Sequence, residues 1–190
     1  MLVKLEYITP NAEEFIGKCA AICYNSDKED AAKSIRRAAS CADKGHLATL
    51  RFASAVFNIT GISRVCSHQF VRSKHLDFLQ RSQRYCKEQE AGITLPQLTE
   101  EQEAVYMGSI LTSKMAYENL IALGLKKEDA RFVLPEATHT ELNVVGNLQA
   151  WKDFIKLRAD THAQWEIREV AKQINNLLHE QCPSLFHWIP

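Results

Sequence analysis

The sequence predicts an α+β fold: a single domain with a small, mostly antiparallel sheet flanked by long helices. Helical and strand-like segments follow each other in an order typical of α+β proteins rather than of a parallel, doubly wound sheet. No Pro/Gly/Ser-rich linker, internal repeat or low-complexity run interrupts residues 1–190. A chain of 190 residues has the length of one ordinary domain and can bury a substantial core. We therefore expect one domain spanning 1–190.

Apolar spacing predicts the individual elements. The expected strands lie at residues 2–8, 50–60 and 142–145. The expected helices lie at residues 12–24, 30–44, 99–123, 129–134 and 148–182, and the spacing is also helical from Gly61 to about His75. The helix at 99–123 has the clearest bounds, because Thr99 is a good cap, Glu101 and Glu103 lie in the first turn, and Gly124 ends it.

Composition excludes several classes of partner. Lys plus Arg and Asp plus Glu number 23 each, so a formal charge of zero gives no general attraction to nucleic acid or to anionic membrane. No apolar window reaches the length of a membrane span, and the N-terminus MLVKLEYITP lacks the features of a signal peptide. These features predict a cytoplasmic protein. The six cysteines show no complete zinc pattern, so we expect reduced thiols and no metal.

The densest polar stretch is RVCSHQFVRSKHLDFLQRSQR, from Arg64 to Arg84. Five arginines and lysines lie in it with almost no acidic residue, which is unusual in a neutral protein. One interpretation is a phosphate or other anion pocket, because guanidinium forks match phosphate oxygens and serine hydroxyls add donors. The alternative is a solvated basic helix face.

A second polar cluster, LRADTHAQWEIRE, lies in the predicted last helix. On one continuous helix, Arg158, His162 and Trp165 would share a face, with Gln164 and Arg168 on a neighbouring stripe. Such groups need polar partners when buried, and a ligand is one source of them. The alternative is an ion-pair network with the nearby glutamates at 166 and 169.

These two segments resemble the flavin-dependent thymidylate synthase family. SHQFVRSKHLDFLQRSQRY is similar to the family's R-H-R triplet followed by S-x-R-Y. FVLPEATHTELNVVGN and FIKLRADTHAQWEIREVA resemble its second half, with V-L-P and L-R-x-x-x-H-A-Q-x-E-I-R, and GHLATLRF is similar to an earlier G-H-E-T-P-F-E-H segment. The resemblance runs in the right order over about residues 40–182.

The resemblance implies a flavoprotein methyltransferase of nucleotide biosynthesis. Members bind FAD between the subunits of a homotetramer, take a hydride from NADPH (NADP chemistry), and move the one-carbon unit of methylenetetrahydrofolate to C5 of dUMP. The product is dTMP, and no protein nucleophile is needed. The protein would supply positioning and electrostatics, while the flavin supplies the redox chemistry.

The resemblance also implies roles for individual positions. Arg168 would be the catalytic residue, contacting the uracil ring and stabilising its developing negative charge. The substrate-binding set would line the nucleotide, with two members, Arg64 and Gln69, approaching it from a neighbouring subunit. The set comprises Arg64, Gln69, Gln80, Ser82, Gln83 and Arg84. The FAD-binding set would hold the phosphates and the flavin, and comprises His46, Arg72, Ser73, Lys74, Asn147, Arg158 and His162.

Several positions depart from the family pattern. The R-H-R triplet is Arg72-Ser73-Lys74, in which a ring is lost and a forked guanidinium becomes a point-charge ammonium. Two flavin-side residues of the G-H-E-T-P-F-E-H segment are Ala48 and Arg51 here, and the nucleotide-binding arginine after V-L-P is Glu141. If Arg51 and Glu141 lie close together, the exchanged charges form a compensating ion pair.

The sequence is therefore compatible with three functions. The first is FAD-dependent methylation of dUMP to dTMP. The second is a divergent family member that acts on another pyrimidine nucleotide. The third is a paralogue that binds nucleotide or flavin without turnover.

Overall fold

The computed structural model describes residues 1–190 and confirms the α+β class. Four strands are present: β1 (Leu2–Ile8), β2 (Ser54–Ser63), β3 (Leu76–Gln80) and β4 (His139–Asn147). Seven α-helices are present: α1 (Ala12–Ala21), α2 (Ala31–Asp43), α3 (Arg64–Phe70), α4 (Glu100–Ala122), α5 (Lys127–Ala130), α6 (Leu148–Arg158) and α7 (Trp165–Gln181). Short 3₁₀ turns follow α1 and α5, and a six-residue one, Leu47–Phe52, leads into β2.

The strands form one antiparallel sheet in the order β1-β2-β4-β3. The central pair places Phe57 opposite Val144, and the side chains of both strands alternate between the two faces. The β2–β4 register shifts between Thr60 and Ile62, at Gly61, whose φ of 67° suits a residue without a side chain. This bulge turns the end of β2 towards α3.

The core lies between one face of the sheet and the helices. Phe57 on β2 meets Trp151 on α6 edge to face at 4.9 Å, and Phe154 stacks on Phe70 of α3 at 4.7 Å. Fully buried Ile167 and Ile174 bring α7 into the same cluster of buried side chains. The amphipathic patterns therefore fix α3, α6 and α7 against the sheet, and these three helices carry Arg64, Gln69, Arg158 and Arg168 of the predicted site residues.

The expected helix over residues 148–182 is wrong. The chain forms α6 and α7 with a turn at 159–164 between them. The Asp160 carboxylate accepts the backbone N–H of His162 at 2.8 Å, which competes with helical hydrogen bonding. The Gln164 side chain then accepts the N–H groups of Glu166 and Ile167, and so begins a new helix.

This break also changes the face argument. Arg158 ends α6, His162 lies in the turn and Trp165 begins α7, so the three do not share one helix face. Their spacing of three and four residues arises in a sequence that leaves the helix for six residues. Spacing alone could not reveal this, because polar side chains that cap a turn also tolerate a helix surface.

Other bounds differ in smaller ways. The predicted strand 50–60 begins at Ser54, because residues 47–52 form the 3₁₀ turn, and it continues to Ser63. The helix expected from Gly61 is only α3, and the strand β3 within the basic stretch was not predicted. The start of α4 is confirmed, with Thr99 and Gln102 forming a capping box. None of the helices combines the length and apolar character required to cross a bilayer.

Candidate functional site

The turn after β3 is held by local hydrogen bonds. The Ser82 carbonyl accepts the N–H of Tyr85 at 3.3 Å and that of Cys86 at 3.0 Å, and the Ser82 hydroxyl oxygen accepts the N–H of Arg84 at 3.2 Å. Serine favours such local turns because its hydroxyl can bond to the backbone two residues later. The turn therefore presents Ser82, Gln83 and Arg84 as one rigid group.

Arg84 is held at the surface by a carboxylate. Its Nη2 lies 2.9 Å and its Nε 3.1 Å from Oε2 of Glu128 on α5, and its guanidinium lies over the ring of Tyr85 at 5.6 Å. Lys127 Nζ donates to the Tyr85 carbonyl at 2.9 Å, so α5 braces the same turn. Roughly half of the Arg84 side chain is exposed, and its Nη1, which does not bond to Glu128, is accessible to an anion.

Arg64 lies close to this turn, at the first position of α3. Its Nη2 donates to the carbonyl of Arg81 at 3.3 Å, and its Nε is buried with no partner. Partial burial lowers the pKa of Arg64, yet a guanidinium keeps its charge at neutral pH. The fully buried Glu88 lies 3.4 Å from Arg81 Nε and places a negative charge near Arg64 and Arg81.

Gln80 points into the protein rather than into open solvent. Its amide donates to the hydroxyl of Ser67 on α3 at 2.9 Å and to that of Thr140 on β4 at 3.2 Å. These bonds tie the end of β3 to α3 and to the sheet. Gln80 therefore orients the turn that follows it.

The segment Arg72-Ser73-Lys74 forms a second group. With His75, it lines a cavity of about 330 Å³ against α6, whose Asp153, Phe154 and Leu157 complete the wall. The Ser73 hydroxyl is buried and has no hydrogen-bond partner. An orphaned buried donor next to two cations suits an anionic group, although Asp153 also brings a negative charge to the cavity.

Arg158, the last residue of α6, links this helix to the C-terminal end of α3. Its Nη2 donates to the carbonyl of Gln69 at 3.0 Å and its Nη1 to the Gln69 side chain at 3.4 Å. The Arg158 Nε is buried and unpartnered. Two residues predicted for different ligands are therefore in direct contact.

Three predicted cofactor residues lie outside these groups. His46 is exposed before the 3₁₀ turn, and its carbonyl accepts the Thr49 hydroxyl at 2.9 Å. The Asn147 side chain caps α6 by accepting the N–H of Ala150 at 2.9 Å. His162 is exposed in the α6–α7 turn, with Nδ1 2.8 Å from Asp160. Within one chain these residues do not contact the Arg72-Ser73-Lys74 cavity.

Arg168 lies in the first turn of α7 and donates to the carbonyl of Thr161 at 2.8 Å. The alternative of an ion-pair network with the neighbouring glutamates is wrong within this chain. Glu166 turns inward to hydroxyl and amide donors, and Glu169 accepts a hydrogen bond from Gln173. Arg168 therefore keeps its charge free of any carboxylate of its own chain.

The exchanged charges at residues 51 and 141 do not pair within the chain. Glu141 lies on the open face of the sheet and accepts the Asn58 amide at 2.8 Å, and the same amide bonds to Asn143 at 2.9 Å. Arg51 precedes β2 at the opposite end of the sheet, where Ser54 pairs with Asn147. Six strand residues separate Glu141 from that end, about 20 Å at the usual rise.

The structure thus gathers the predicted residues into two groups at the ends of α3, which is about 10 Å long. The Ser82 turn with Arg64 and Gln80 forms one, and the triplet with Gln69 and Arg158 the other. Sequence reasoning missed Glu88 and Glu128, which hold Arg81 and Arg84. Neither lies in a recognisable motif, so only the tertiary contacts identify them.

Comparisons with known proteins identify the family of the chain. The model of the family described as thymidylate synthase complementing protein matches residues 4–184. The chain belongs to the thymidylate synthase complementing protein family. Among similar relatives, the flavin-dependent thymidylate synthase of Mycobacteroides abscessus is 33% identical over 93% of this chain and 78% of that protein. The one from Mycobacterium avium is 34% identical over the same shares.

Solved structures of the family have the same fold. The crystal structure of thymidylate synthase X from Helicobacter pylori with FAD and dUMP superposes with a TM-score of 0.84. It is 19% identical in sequence, and the match covers 98% of both chains. A second complex of that protein with FAD and dUMP gives a TM-score of 0.81 at 22% identity. At these identities the likeness establishes the α+β fold.

Proposed function

We propose that this family member catalyses FAD-dependent methylation of dUMP to dTMP, with methylenetetrahydrofolate as carbon donor and NADPH as reductant, in the cytoplasm. The observation that carries the proposal is the intact Ser82–Tyr85 turn, which presents an accessible guanidinium inside a match to the family model over nearly the whole chain. The relatives that share these segments are themselves described as flavin-dependent thymidylate synthases.

In this proposal the Ser82 turn holds the nucleotide phosphate. Arg84 makes the charge-assisted contact, while the Ser82 hydroxyl and the Gln83 amide add neutral donors. Arg64, whose Nε lacks a partner, supplies a further donor at the nucleotide. Gln80 shapes the edge of this site through Ser67, and Gln69, held by Arg158 in the other group, approaches the nucleotide from a neighbouring subunit.

Arg168 is proposed as the catalytic residue. It projects from the first turn of α7, where the positive end of the helix dipole adds to its own charge. A cation here favours the negative charge that grows on the uracil ring as C5 becomes nucleophilic. No carboxylate of the same chain neutralises Arg168, so its positive charge is available to interact with the bound nucleotide.

The Arg72-Ser73-Lys74 cavity fits part of FAD. Two cations and the orphaned Ser73 hydroxyl suit its diphosphate, and Arg158 offers a further buried donor. When bound, FAD supplies the hydride that completes the methyl group. A cavity of about 330 Å³ is small for the whole cofactor. We infer that His46, Asn147 and His162 contact FAD from other subunits.

Restoring the family triplet should tighten FAD. In Ser73→His with Lys74→Arg, a ring donor and a guanidinium fork replace a hydroxyl and a point charge, so affinity should rise about tenfold or more. Fluorescence titration of free FAD measures this, with Lys18→Arg, which pairs with Glu14 on α1, as a matched control. An unchanged or lower affinity would contradict the role of the triplet.

A homotetramer is the assembly we expect. Long helix α4 exposes Val105, Leu111 and Met115, whose side chains are 56–72% accessible, and the sheet leaves one face open. Contact with neighbouring copies would bury these apolar side chains away from water, which is favourable. Light scattering at micromolar concentration should give about four times the chain mass of 21.6 kDa. A monomeric mass would contradict the proposal that several subunits contribute residues to one site.

One observation favours a second candidate, a member acting on another pyrimidine nucleotide. Glu141 occupies the position at which the flavin-dependent thymidylate synthase pattern has a nucleotide-binding arginine. On the open face of the sheet, the Asn58 amide donates to both Glu141 and Asn143. A carboxylate about 4 Å from a phosphate would oppose binding by roughly 1–4 kcal/mol. Titration with dUMP and with other pyrimidine nucleotides, such as dCMP, separates the two candidates by their relative affinity.

The proposal as a whole is tested by complementation. Expressed in a thymidine-requiring bacterium, the chain should support growth without thymidine, whereas the Arg84→Ala variant should not. A purified protein that is yellow with a flavin spectrum, but fails to complement, would instead favour a binding paralogue or the second candidate.

A further inference from the structure

Glu166 is a buried carboxylate without a cationic partner. Its side chain is 1% exposed. It lies in the segment H-A-Q-W-E-I-R, and the resemblance to the family assigned it no role. The ion pairs of the chain do not include it. A buried charge is costly unless several donors satisfy it, so the groups around Glu166 are informative.

Three donors converge on this carboxylate from two distant segments. Oε1 accepts the backbone N–H of Ser63 at 2.8 Å and the hydroxyl of Thr94 at 3.1 Å. Oε2 accepts the hydroxyl of Ser63 at 2.5 Å. The carboxylate also lies in the first turn of α7, where the helix dipole favours negative charge. These donors satisfy both carboxylate oxygens and account for the burial of Glu166 without a cation.

Ser63 passes this contact on to α3. While its hydroxyl donates to Glu166, the same oxygen accepts the N–H of Cys66 at 3.0 Å and so caps α3. Arg64 is the next residue, and Gln69 lies near the other end of this seven-residue helix. On the opposite side, Arg168 follows Glu166 by two residues on α7. The hydrogen-bonded chain Glu166–Ser63–Cys66 therefore joins the elements that carry two site arginines.

We propose that Glu166 is a positioning residue that locks the start of α3 to the start of α7, and thereby fixes Arg64 relative to Arg168 at the nucleotide site. The inference rests on the proposed function for its ligand, but the lock itself is a property of the fold. Glu166 does not contact the reacting atoms. It acts through the Ser63 hydroxyl, which donates to Glu166 and accepts the N–H of Cys66.

The test compares Glu166→Gln with Ser63→Ala and with the double variant. The glutamine keeps the shape but loses the charge and one acceptor, so dUMP should bind about tenfold more weakly at unchanged protein concentration. Because both single changes break the same bond, the double variant should weaken binding no more than the worse single one. Glu169→Gln, which alters an exposed carboxylate bonded to Gln173 on the same helix, is the matched control.

A second readout does not depend on the nucleotide. Hydrogen exchange in the protein without dUMP should show faster exchange of the α3 amides in Glu166→Gln than in Glu169→Gln, while the amides of α4 stay protected in both. Unchanged α3 exchange, or additive losses in the double variant, would overturn the positioning role. If the parent chain failed to bind dUMP while α3 exchange still rose, the proposed function would fail and the lock would stand.

Discussion

Replacing Arg84 with alanine should weaken dUMP binding by about 2–4 kcal/mol, the usual cost of removing one partner of a desolvated charge pair. This corresponds to roughly 30- to 1000-fold in the dissociation constant. The effect is large because the guanidinium would make the charge-assisted contact to the phosphate, and the Ser82 turn fixes the backbone from which Arg84 projects. Isothermal titration of the folded variant measures the change directly.

Glu128→Gln is the matched control for Arg84. It removes the carboxylate that Arg84 contacts in the free chain at 2.9 Å, and it leaves the arginine intact. An exposed pair of this kind contributes about 0–1 kcal/mol, so affinity should stay level or rise up to about fivefold. A large loss in Glu128→Gln and none in Arg84→Ala would show that the pair only braces α5, and the phosphate assignment would then be wrong.

Arg168→Ala should lower turnover far more than binding. The partner of Arg168 is charge that grows towards the transition state, so its removal should reduce kcat by about 10²–10³, as removal of an oxyanion donor does, with little change in dUMP affinity. Steady-state kinetics with saturating FAD, folate and NADPH give kcat, and titration gives the affinity.

The alternative is a purely structural role, in which Arg168 only stabilises the α6–α7 turn through its hydrogen bond to the Thr161 carbonyl. Arg168→Lys separates the two roles, because an ammonium can keep that single hydrogen bond but not the geometry of the fork. If Arg168→Ala melted at a lower temperature while its folded fraction kept a normal kcat, and Arg168→Lys kept both the melting temperature and kcat, the catalytic role would be lost.

Much of the fold follows from local patterns. The strand at 2–8 and the capped start of α4 could be predicted because alternation and capping residues are encoded within a few positions. The break between α6 and α7 could not, because Asp160 and Gln164 act through side-chain bonds to the backbone that a helical spacing does not reveal. Strand β3 was missed because it is short and half-exposed and lies within the basic stretch.

The candidate site shows a similar division. The resemblance could indicate Ser82, Arg84 and Arg168, because they lie in contiguous motifs. The partners of these residues could not be predicted, since Glu128 meets Arg84 across 44 positions and Ser63 meets Glu166 across 103. Such contacts depend on how the elements pack. The suggested pairing of residues 51 and 141 failed within the chain for the same reason: strand register places them at opposite ends of the sheet.

The most direct test of the central claim is product formation by the purified protein. Incubated with FAD, dUMP, NADPH and methylenetetrahydrofolate carrying a labelled one-carbon unit, it should produce labelled dTMP, and omission of FAD, or the Arg168→Ala change, should abolish most of the signal. Chromatography of the nucleotides measures the product. Absence of labelled dTMP from a folded protein that binds both FAD and dUMP would contradict the proposed thymidylate synthase activity.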